Sequence, residues 1–375
     1  MDLHPPRTSR PRSRQVRHAQ LAVPFALIAL VTIVDVLAPP DVHLGPLLVA
    51  APAVTASFAG PRMTGFVGLV AVLAQAVVAA VRTTLTDLNH TFQIGALIMI
   101  SVFVTFFAHL REVHEKELVQ LRSVAETAQE VVLRPLRDRI GPLGVASVYL
   151  AAAAEAQIGG DLYAAARRGG SSRLIIGDVR GKGLEAVGDA ALVLGAFRAA
   201  AHQEAGLPGL VDYLEGAVSP DLDDGGERGE SFVTAAVLDI PDDEPVVHLV
   251  SCGHPPPLVL RRGGRVEPLD VDQPAPPLGL AGLVGSAAGL RAAGPPVTAQ
   301  TFAFEEGDVL LLYTDGVLEA RDRSGVFYPL AERAAAWSGL HPRALLERLC
   351  EDLLAHAAGS TLGDDAAMVA IERLG

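Results

Sequence analysis

Four short segments of the chain decide its fold, and each joins an apolar run to aspartate. Two of them end on an aspartate: Arg173-Leu-Ile-Ile-Gly-Asp178 and Val309-Leu-Leu-Leu-Tyr-Thr-Asp315. The other two begin with one: Asp161-Leu-Tyr-Ala-Ala165 and Asp364-Asp-Ala-Ala-Met-Val-Ala-Ile371. Apolar runs of this length are typical of buried strands. If the first pair runs antiparallel to the second, all four carboxylates lie at the same end of the sheets.

The segments around these runs predict the fold class of the second part of the chain. Short strand-like runs alternate irregularly with helical stretches such as Leu184–Glu204 and Pro342–Ala357, without the regular alternation of a parallel α/β fold. We therefore expect an α+β domain of largely antiparallel sheets flanked by helices. Carboxylates this close together repel one another unless cations neutralise them, and an all-oxygen set favours Mg²⁺ or Mn²⁺ over zinc.

The composition indicates that part of the chain lies in lipid. Of 375 residues, 50% are hydrophobic and 19% charged, and the mean hydropathy is +0.34. Residues before 111 include 7 Arg and 4 Asp, whereas the rest has 23 Lys+Arg against 39 Asp+Glu. An acidic soluble part argues against nucleic acid as a partner. Cys252 and Cys350 have no metal-like spacing and fit a reducing cytosol.

The apolar N-terminal part predicts four transmembrane helices. The stretches Ala19–Ala38, Leu44–Gly60, Met63–Val81 and Phe92–Leu110 each approach the roughly 20 residues that a spanning helix needs. Arginines are concentrated in the tail before the first span, and further basic residues occur at Arg62 and after the fourth span. The positive-inside bias then places both termini in the cytoplasm, as a multi-pass protein of the inner (plasma) membrane.

The sequence divides into four regions. Residues 1–18 form a basic cytoplasmic tail, 19–110 the membrane region, 111–140 a linker or switch helix and 141–375 a soluble domain. Asp35, near the outer end of the first span, has either a simple interfacial position or a sensing role. In the linker, Leu118, Leu121, Ala125, Ala128 and Val132 form an apolar seam with a coiled-coil period. This seam either packs on its own domain or forms a homodimer through residues 110–132.

The ordered motifs of the soluble domain resemble those of a known family. The chain resembles the SpoIIE-type branch of the PPM metal-dependent protein phosphatases over roughly residues 131–372. The resemblance rests on six motifs in order: Ile158-Gly-Gly-Asp-Leu-Tyr163, Ile176-Gly-Asp-Val-Arg-Gly-Lys-Gly-Leu-Glu-Ala186, Phe232-Val-Thr234, Cys252-Gly-His-Pro-Pro-Pro-Leu258, Gly307–Ala320 and Gly363-Asp-Asp365.

The resemblance implies a β-sandwich with two divalent cations, Mn²⁺ or Mg²⁺. Asp178 would bridge both ions with the Val179 carbonyl on the second, Asp315 and Asp364 would hold the first, and Asp161 would bind or orient metal waters at the second. Asp365 is the alternative to Asp364, since one sequence does not settle the register of an Asp-Asp pair. The family commonly has an acidic residue where this chain has Ala164.

Several other residues near these motifs have two interpretations. Lys182, four residues after Asp178, either contacts the phosphate or leaving group or belongs to a surface loop. His254 is either a general acid or a residue that shapes the turn before three prolines, and the second interpretation is favoured. Thr234 and Glu319 are expected to be structural or substrate-facing. Neither cysteine lies in a phosphate-cradling Cys-x5-Arg loop, which counts against cysteine phosphatase chemistry.

The resemblance also implies a function. It predicts a membrane-tethered serine/threonine phosphatase that hydrolyses a phosphomonoester on a cytoplasmic protein by a water activated by two metal ions. An anti-sigma-factor antagonist of the STAS type is the expected substrate class. The alternative is a catalytically degenerate domain that acts as a membrane-anchored binding module. Intact aspartates at all four positions favour the enzyme.

Overall fold

The computed structural model describes most of the chain, which divides into two compact units, Met1–Leu121 and Arg122–Gly375. The described residues are 14–39, 44–81, 88–152, 159–204, 206–218, 232–281, 297–357 and 362–375. Some of the predicted regions lie outside the described residues: most of the basic tail, the loop residues 40–43 and 82–87, and Ile158. The side chains of Leu118, Leu121, Ala125 and Ala128 also lie outside this description, so the two alternatives for the linker seam remain predictions.

The first unit is helical. Its elements are α1 (Arg14–Leu37), a 3₁₀ helix (Gly45–Val49), α2 (Ala50–Ala56), α3 (Pro61–Val81) and α4 (Leu88–Val132). An apolar cluster joins these helices; its members include Ile28, Leu48, Ala51, Val67 and Leu97. Burial of such side chains against one another is what holds antiparallel helices together.

Two of the four predicted spans form helices long and apolar enough to cross a membrane, Pro61–Val81 and Thr91–Glu117. The apolar stretches Ala22–Leu37 and Gly45–Ala56 are shorter. The second predicted span is short, because a 3₁₀ helix of 5 residues, Gly45–Val49, continues directly into α2, which adds only 7 more. The four-helix membrane region is therefore not confirmed, although two helices agree with it.

The structure adds two observations on this part of the chain. Asp35 is 2% exposed, and its Oδ1 accepts a hydrogen bond from the Leu44 amide at 3.1 Å. Helix α4 runs without interruption for 45 residues to Val132, so the fourth apolar stretch continues directly into the linker helix.

The second unit consists of two antiparallel sheets between helices. One sheet contains β1 (Arg139–Ile140), β2 (Leu143–Leu150), β11 (Ala366–Arg373), β10 (Val309–Tyr313), β7 (Leu258–Leu260) and β8 (Val266–Pro268), in that order. The other contains β3 (Leu162–Arg168), β4 (Ser171–Val179), β5 (Val233–Pro241), β6 (Val246–Cys252) and β9 (Gln300–Ala303). All named strand pairs are antiparallel, so the predicted α+β architecture is confirmed for the described residues.

Alternating side chains bury both faces of the first sheet. Leu310 and Leu312 of β10 belong to the core between the sheets, whereas Val309, Leu311 and Tyr313 belong to a second core. This alternation is the period of two that a strand requires. The helices α5 (Leu184–Ala200) and α6 (Leu207–Val218) share the first core, and α8 (Leu330–Ala336) and α9 (Pro342–His356) share the second. The short helix α7 (Asp315–Leu318) follows β10.

Arg173 in β4 is fully buried and ties this strand to the end of α5. Its Nη1 donates hydrogen bonds to the carbonyls of Ala201 (3.1 Å) and Glu204 (2.8 Å), and its Nε lies 3.4 Å from Asp239 Oδ2. The carbonyls at a helix end have no partners within the helix. A buried guanidinium with several acceptors therefore satisfies groups that would otherwise be orphaned.

We predict that Arg173→Leu destabilises the second unit by about 3–5 kcal/mol, because it leaves Asp239 without its cation and the two carbonyls without donors. The measurement is urea unfolding of the full chain in detergent, followed by the fluorescence of Trp337, the single tryptophan of the chain. Arg348→Leu is the matched control, since Arg348 is 62% exposed and its ion pair with Glu351 should contribute less than about 1 kcal/mol. Equal losses in the two variants would contradict the role of Arg173.

Candidate active site

The strand register brings the predicted aspartates together in pairs. Leu162 pairs with Gly177, so Asp161, just before β3, lies beside Asp178 near the end of β4. In the other sheet Tyr313 pairs with Met368, so Asp315, the first residue of α7, lies near Asp364 and Asp365, which precede β11. The predicted antiparallel arrangement is thus present in both sheets.

Thr314 connects the two pairs. Its hydroxyl donates to Asp161 Oδ2 at 2.9 Å, and its Oγ1 accepts the amide of Ala367 at 2.9 Å. Thr314 is fully buried. The bond therefore joins the end of β10 to the start of β3 and fixes the edges of the two sheets against each other. The sequence analysis did not single out Thr314, whose only signal was its position before Asp315.

The carboxylates lie close enough to raise one another's pKa. Burial raises the pKa of Asp178 to about 7, with further contributions from the negative charges of Asp315 and Asp364. Burial and the charge of Asp178 raise the pKa of Asp161 well above its usual range. The pKa of Asp315 is raised as well, although the residue as a whole is exposed. Partial burial of its carboxylate is the main cause, and the negative charges of Glu319 and Asp364 add to it. A cation among these groups would relieve this repulsion.

Asp364 and Asp365 have different surroundings. Asp365 is 4% exposed; its Oδ1 accepts the amide of Ala152 at 2.6 Å, and its Oδ2 accepts the amide of Gly159. Asp364 has a side chain that is 38% exposed and forms an ion pair with Lys182 Nζ at 2.9 Å. Asp365 therefore anchors the chain before β3, while Asp364 has an accessible carboxylate.

Lys182 lies at the carboxylate cluster. Its side chain is 40% exposed, and the hydrogen bond to Asp364 raises its pKa, so the ammonium is charged at neutral pH. The neighbouring glycines adopt positive φ angles, +111° at Gly181 and +89° at Gly183, which a residue with a side chain rarely adopts. The turn thereby directs the Lys182 ammonium towards the carboxylates.

Gly160 and Gly316 allow the backbone to approach the site closely. A Cβ atom on Gly160 would lie 2.4 Å from Val179 Cβ and 2.8 Å from the Val179 carbonyl oxygen. A Cβ on Gly316 would lie 1.8 Å from the Asp365 carbonyl oxygen. Both glycines are therefore required where β3 meets β4 and where α7 meets β11.

His254 is buried and connects the two sheets. Its Nε2 lies 3.1 Å from the Tyr313 carbonyl and its Nδ1 3.3 Å from Thr234 Oγ1. Burial lowers the pKa of His254 to about 4, so the ring is neutral at neutral pH and donates from Nε2 to Tyr313. This arrangement suits a structural residue that positions the end of β10 and, with it, Asp315. Thr234 lies opposite Asp178 in the register of β4 and β5.

The chemistry of the donors fits divalent cations with oxygen ligands. Within the described residues, no three Asp, Glu, His or Cys side chains lie in a ready metal-ligand arrangement. Asp161 instead accepts a hydrogen bond from Thr314, and Asp364 forms an ion pair with Lys182. The carboxylates nevertheless lie together at one edge, where burial and the neighbouring charges raise the pKa of Asp178 and Asp161, and hard divalent ions are the cations that such oxygen ligands suit. Cys252 is buried, and burial raises the pKa of its thiol to about 12, which disfavours a thiolate nucleophile.

The comparison with protein families confirms the resemblance seen in the motifs. The family described as "Stage II sporulation protein E (SpoIIE)" matches residues 168–374, more than half of the chain. The chain belongs to the SpoIIE family. The match includes Asp178, Asp315 and the Asp364-Asp365 pair, and Asp161 lies before its first residue.

Solved structures show the same fold. The SiaA-PP2C domain of Pseudomonas aeruginosa is 12% identical with a TM-score of 0.52, and the alignment covers 71% of this SpoIIE-family chain and 99% of that one. The PP2C phosphatase domain of SpoIIE from Bacillus subtilis, with a fragment of its regulatory domain, is 16% identical with a TM-score of 0.50, and the alignment covers 62% and 64% of the two chains.

The RsbU and RsbW domains of a Mycobacterium tuberculosis protein are 24% identical, with a TM-score of 0.47 and coverage of 62% and 60%. The SpoIIE-family chain thus spans less than two thirds of the length of this structure and of the Bacillus subtilis one. The second unit has a SpoIIE/PP2C-type phosphatase fold.

We predict that Asp178→Asn stabilises the metal-free chain at pH 8. Because the pKa of Asp178 is raised in the folded state, the folded chain binds this proton more tightly than the unfolded chain. This contribution to stability is fully present below the unfolded pKa, near 3.8, and is lost as pH rises through about 7. Removing the charge should raise the melting temperature by roughly 4 °C or more at pH 8 and by less at pH 5.

This prediction is measured by Trp337 fluorescence during thermal unfolding of the full chain with a chelator. Asp243→Asn, at an exposed aspartate away from the cluster, is the matched control and should leave the melting temperature unchanged. A gain for Asp178→Asn that is as large at pH 5 as at pH 8 would show that charge repulsion is not its cause.

We predict opposite effects for alanine at the two adjacent aspartates. Asp365→Ala leaves the buried amides of Ala152 and Gly159 without an acceptor and should lower stability by about 1–3 kcal/mol. Asp364→Ala removes one like charge from the cluster at the cost of an exposed ion pair and should be neutral or stabilising without metal. Urea unfolding in the presence of a chelator compares them, and a larger loss for Asp364→Ala would reverse the assignment.

Proposed function

We propose that this chain is a membrane-tethered protein serine/threonine phosphatase that depends on Mn²⁺ or Mg²⁺. The observation that carries the proposal is the cluster of Asp161, Asp178, Asp315 and Asp364 at one edge of a SpoIIE/PP2C-type fold. Burial, and to a smaller extent the neighbouring negative charges, raises the pKa of Asp161, Asp178 and Asp315. The reaction is hydrolysis of a phosphoserine or phosphothreonine monoester.

Two divalent cations would be held by the carboxylate cluster. Asp178 would contribute to holding both ions, together with the Val179 carbonyl, because its carboxylate interacts with Asp161, Asp315 and Asp364. Asp315 and Asp364 would hold the first ion, and Asp161 would bind or orient water at the second. Asp364 is preferred over Asp365 because both carboxylate oxygens of Asp365 accept backbone amides.

In the proposed reaction a water oxygen forms a bond to phosphorus, and the bond from phosphorus to the serine or threonine oxygen breaks. When bound, the cations would neutralise charge on the phosphoryl oxygens and lower the pKa of the attacking water. The attacking water gives up one proton and the leaving oxygen takes up one, so that the products are the serine or threonine alcohol and inorganic phosphate. Lys182 would leave Asp364 and contact the phosphoryl group, as a charged ammonium that already lies at the cluster. His254 is neutral and serves to position Asp315 rather than to transfer this proton.

The substrate we propose is a phosphorylated cytoplasmic regulatory protein, such as an anti-sigma-factor antagonist of the STAS type. Membership of the SpoIIE family supports this class. The helices Pro61–Val81 and Thr91–Glu117 support anchoring in the inner membrane as a multi-pass protein, with the N-terminus and the second unit in the cytoplasm. The acidic second unit suits this assignment, since a nucleic-acid partner would require a basic surface.

The test is phosphate release from a phosphoserine peptide and from p-nitrophenyl phosphate by the full chain in detergent, with and without Mn²⁺. We expect activity that requires Mn²⁺, and losses of about 10³-fold or more for Asp178→Asn and Asp315→Asn, because each removes charge stabilisation from the transition state. Asp243→Asn is the matched control and should retain full activity.

Two results would contradict this function. Metal-independent turnover, or turnover that survives Asp178→Asn, would reject the metal-dependent mechanism. Calorimetry that detects no Mn²⁺ binding, together with no hydrolysis, would favour the degenerate binding module instead.

A further inference from the structure

A short hairpin at residues 320–328, which we name the Phe327 hairpin, directs apolar side chains into solvent. Val326 is 57% exposed and Phe327 52% exposed. Among the described residues of the second unit, five large apolar side chains are exposed, and these two are the only neighbours in sequence: Leu184, Leu192, Tyr213, Val326 and Phe327. Paired exposed apolar side chains are a feature of binding surfaces.

The hairpin is held in a defined shape. The amides of Ser324 (2.7 Å) and Val326 (2.9 Å) donate to Asp322 Oδ1, and the Asp322 amide donates to the Val326 carbonyl at 3.0 Å. Gly325 adopts a φ of +82°, which allows the tight turn. The exposed side chains are thus presented on a fixed backbone, which lowers the entropy cost of binding.

Helix α9 supports the base of the Phe327 hairpin. The Tyr328 hydroxyl donates to Asp352 Oδ2 at 2.9 Å, and Tyr328 is itself buried. His356 Nε2 lies 3.0 Å from the Val326 carbonyl, and its ring packs edge-on against Tyr328. These contacts keep the apolar pair from folding back onto the domain.

The exposed face of the hairpin is basic, although the second unit is acidic. The Arg321 guanidinium lies 4.3 Å from the centre of the Phe327 ring, and Arg323 is also exposed. Neither arginine forms an ion pair with a described residue. Aromatic and arginine side chains are enriched where interfaces gain their binding energy. This face suits an acidic partner that also offers an apolar side chain.

The hairpin begins close to the carboxylate cluster. Asp315 opens α7, which has 4 residues, and the hairpin starts two residues after its end. A helix rises about 1.5 Å per residue and an extended chain about 3.3 Å, so the six residues from Asp315 to Arg321 span at most about 13 Å, and Arg321 pairs with Phe327. An extended peptide covers this distance in about four residues. A phosphoprotein with its phosphate at the cluster would reach the hairpin.

We propose that the Phe327 hairpin is the docking surface for the phosphoprotein substrate. Phe327 and Val326 contact an apolar side chain, and Arg321 binds an acidic residue about four positions from the phosphorylated residue. The proposal rests on the phosphatase function above and adds the sequence preference of the same site. These residues bind the substrate away from the reacting atoms and take no part in hydrolysis.

The test compares two synthetic phosphoserine peptides of equal length with the full chain in detergent and Mn²⁺. One peptide has Leu and two Asp residues three to five positions from phosphoserine, and the other has Ser and Gly there. We expect kcat/KM to be roughly tenfold higher for the acidic peptide, mainly through KM, and Phe327→Ala and Arg321→Ala each to reduce this ratio towards one. Both variants should hydrolyse p-nitrophenyl phosphate like the unaltered chain.

Tyr213→Ala, which removes a side chain that is 48% exposed on α6, is the matched control and should keep the peptide ratio. Two results would overturn the docking surface and leave the phosphatase function intact, provided that p-nitrophenyl phosphate is turned over normally. One is equal kcat/KM for the two peptides, and the other is a peptide preference that survives both substitutions. Absence of Mn²⁺-dependent turnover of p-nitrophenyl phosphate by the unaltered chain would overturn the phosphatase function and this proposal with it. Equal melting temperatures of all variants exclude a folding defect.

Discussion

Repulsion among carboxylates held at one edge of a β-sandwich is the constraint on which the second unit depends. Asp161 and Asp178 come from one sheet and Asp315 and Asp364 from the other, so the fold brings like charges together from two separate layers. Such an arrangement costs stability unless a proton or a cation compensates it. The Thr314 hydroxyl on Asp161 and the Lys182 ammonium on Asp364 provide part of that compensation from within the chain.

Residues outside the cluster keep its members in place. Thr314 bonds to Asp161 and to the Ala367 amide, and His254 spans from Thr234 on β5 to the Tyr313 carbonyl at the end of β10. These uncharged residues fix the distance between the sheets where the charges meet. A neutral His254 is required for this, because a protonated ring would add a donor facing Thr234 and a buried charge. Geometry at this edge is therefore determined by buried polar contacts, in which the Asp161 carboxylate takes part through Thr314.

Much of this edge was predictable from sequence because strand runs and acids are local signals. The apolar runs that lead to Asp178 and Asp315 form β4 and β10, and the antiparallel relation of the four segments is observed. The roles of Asp364 and Asp365 were not predictable, since Asp365 is fixed by amides 213 and 206 residues away in sequence. The second predicted span is not confirmed for a local reason instead. Its helical stretch Gly45–Ala56 is shorter than the roughly 20 residues of a spanning helix, although its composition suits a membrane.

The hairpin and the cluster also explain how one short stretch after β10 could serve both chemistry and recognition. Asp315 lies at its start, where the strand ends and the charge is needed, and Phe327 lies at its far end, supported by α9 through Tyr328 and His356. On the proposed function, a phosphoprotein bound at Phe327 would present its phosphorylated residue to the cluster. A substrate would then be selected by the residues around its phosphorylated side chain, while the groups that face the phosphate would stay the same for every substrate.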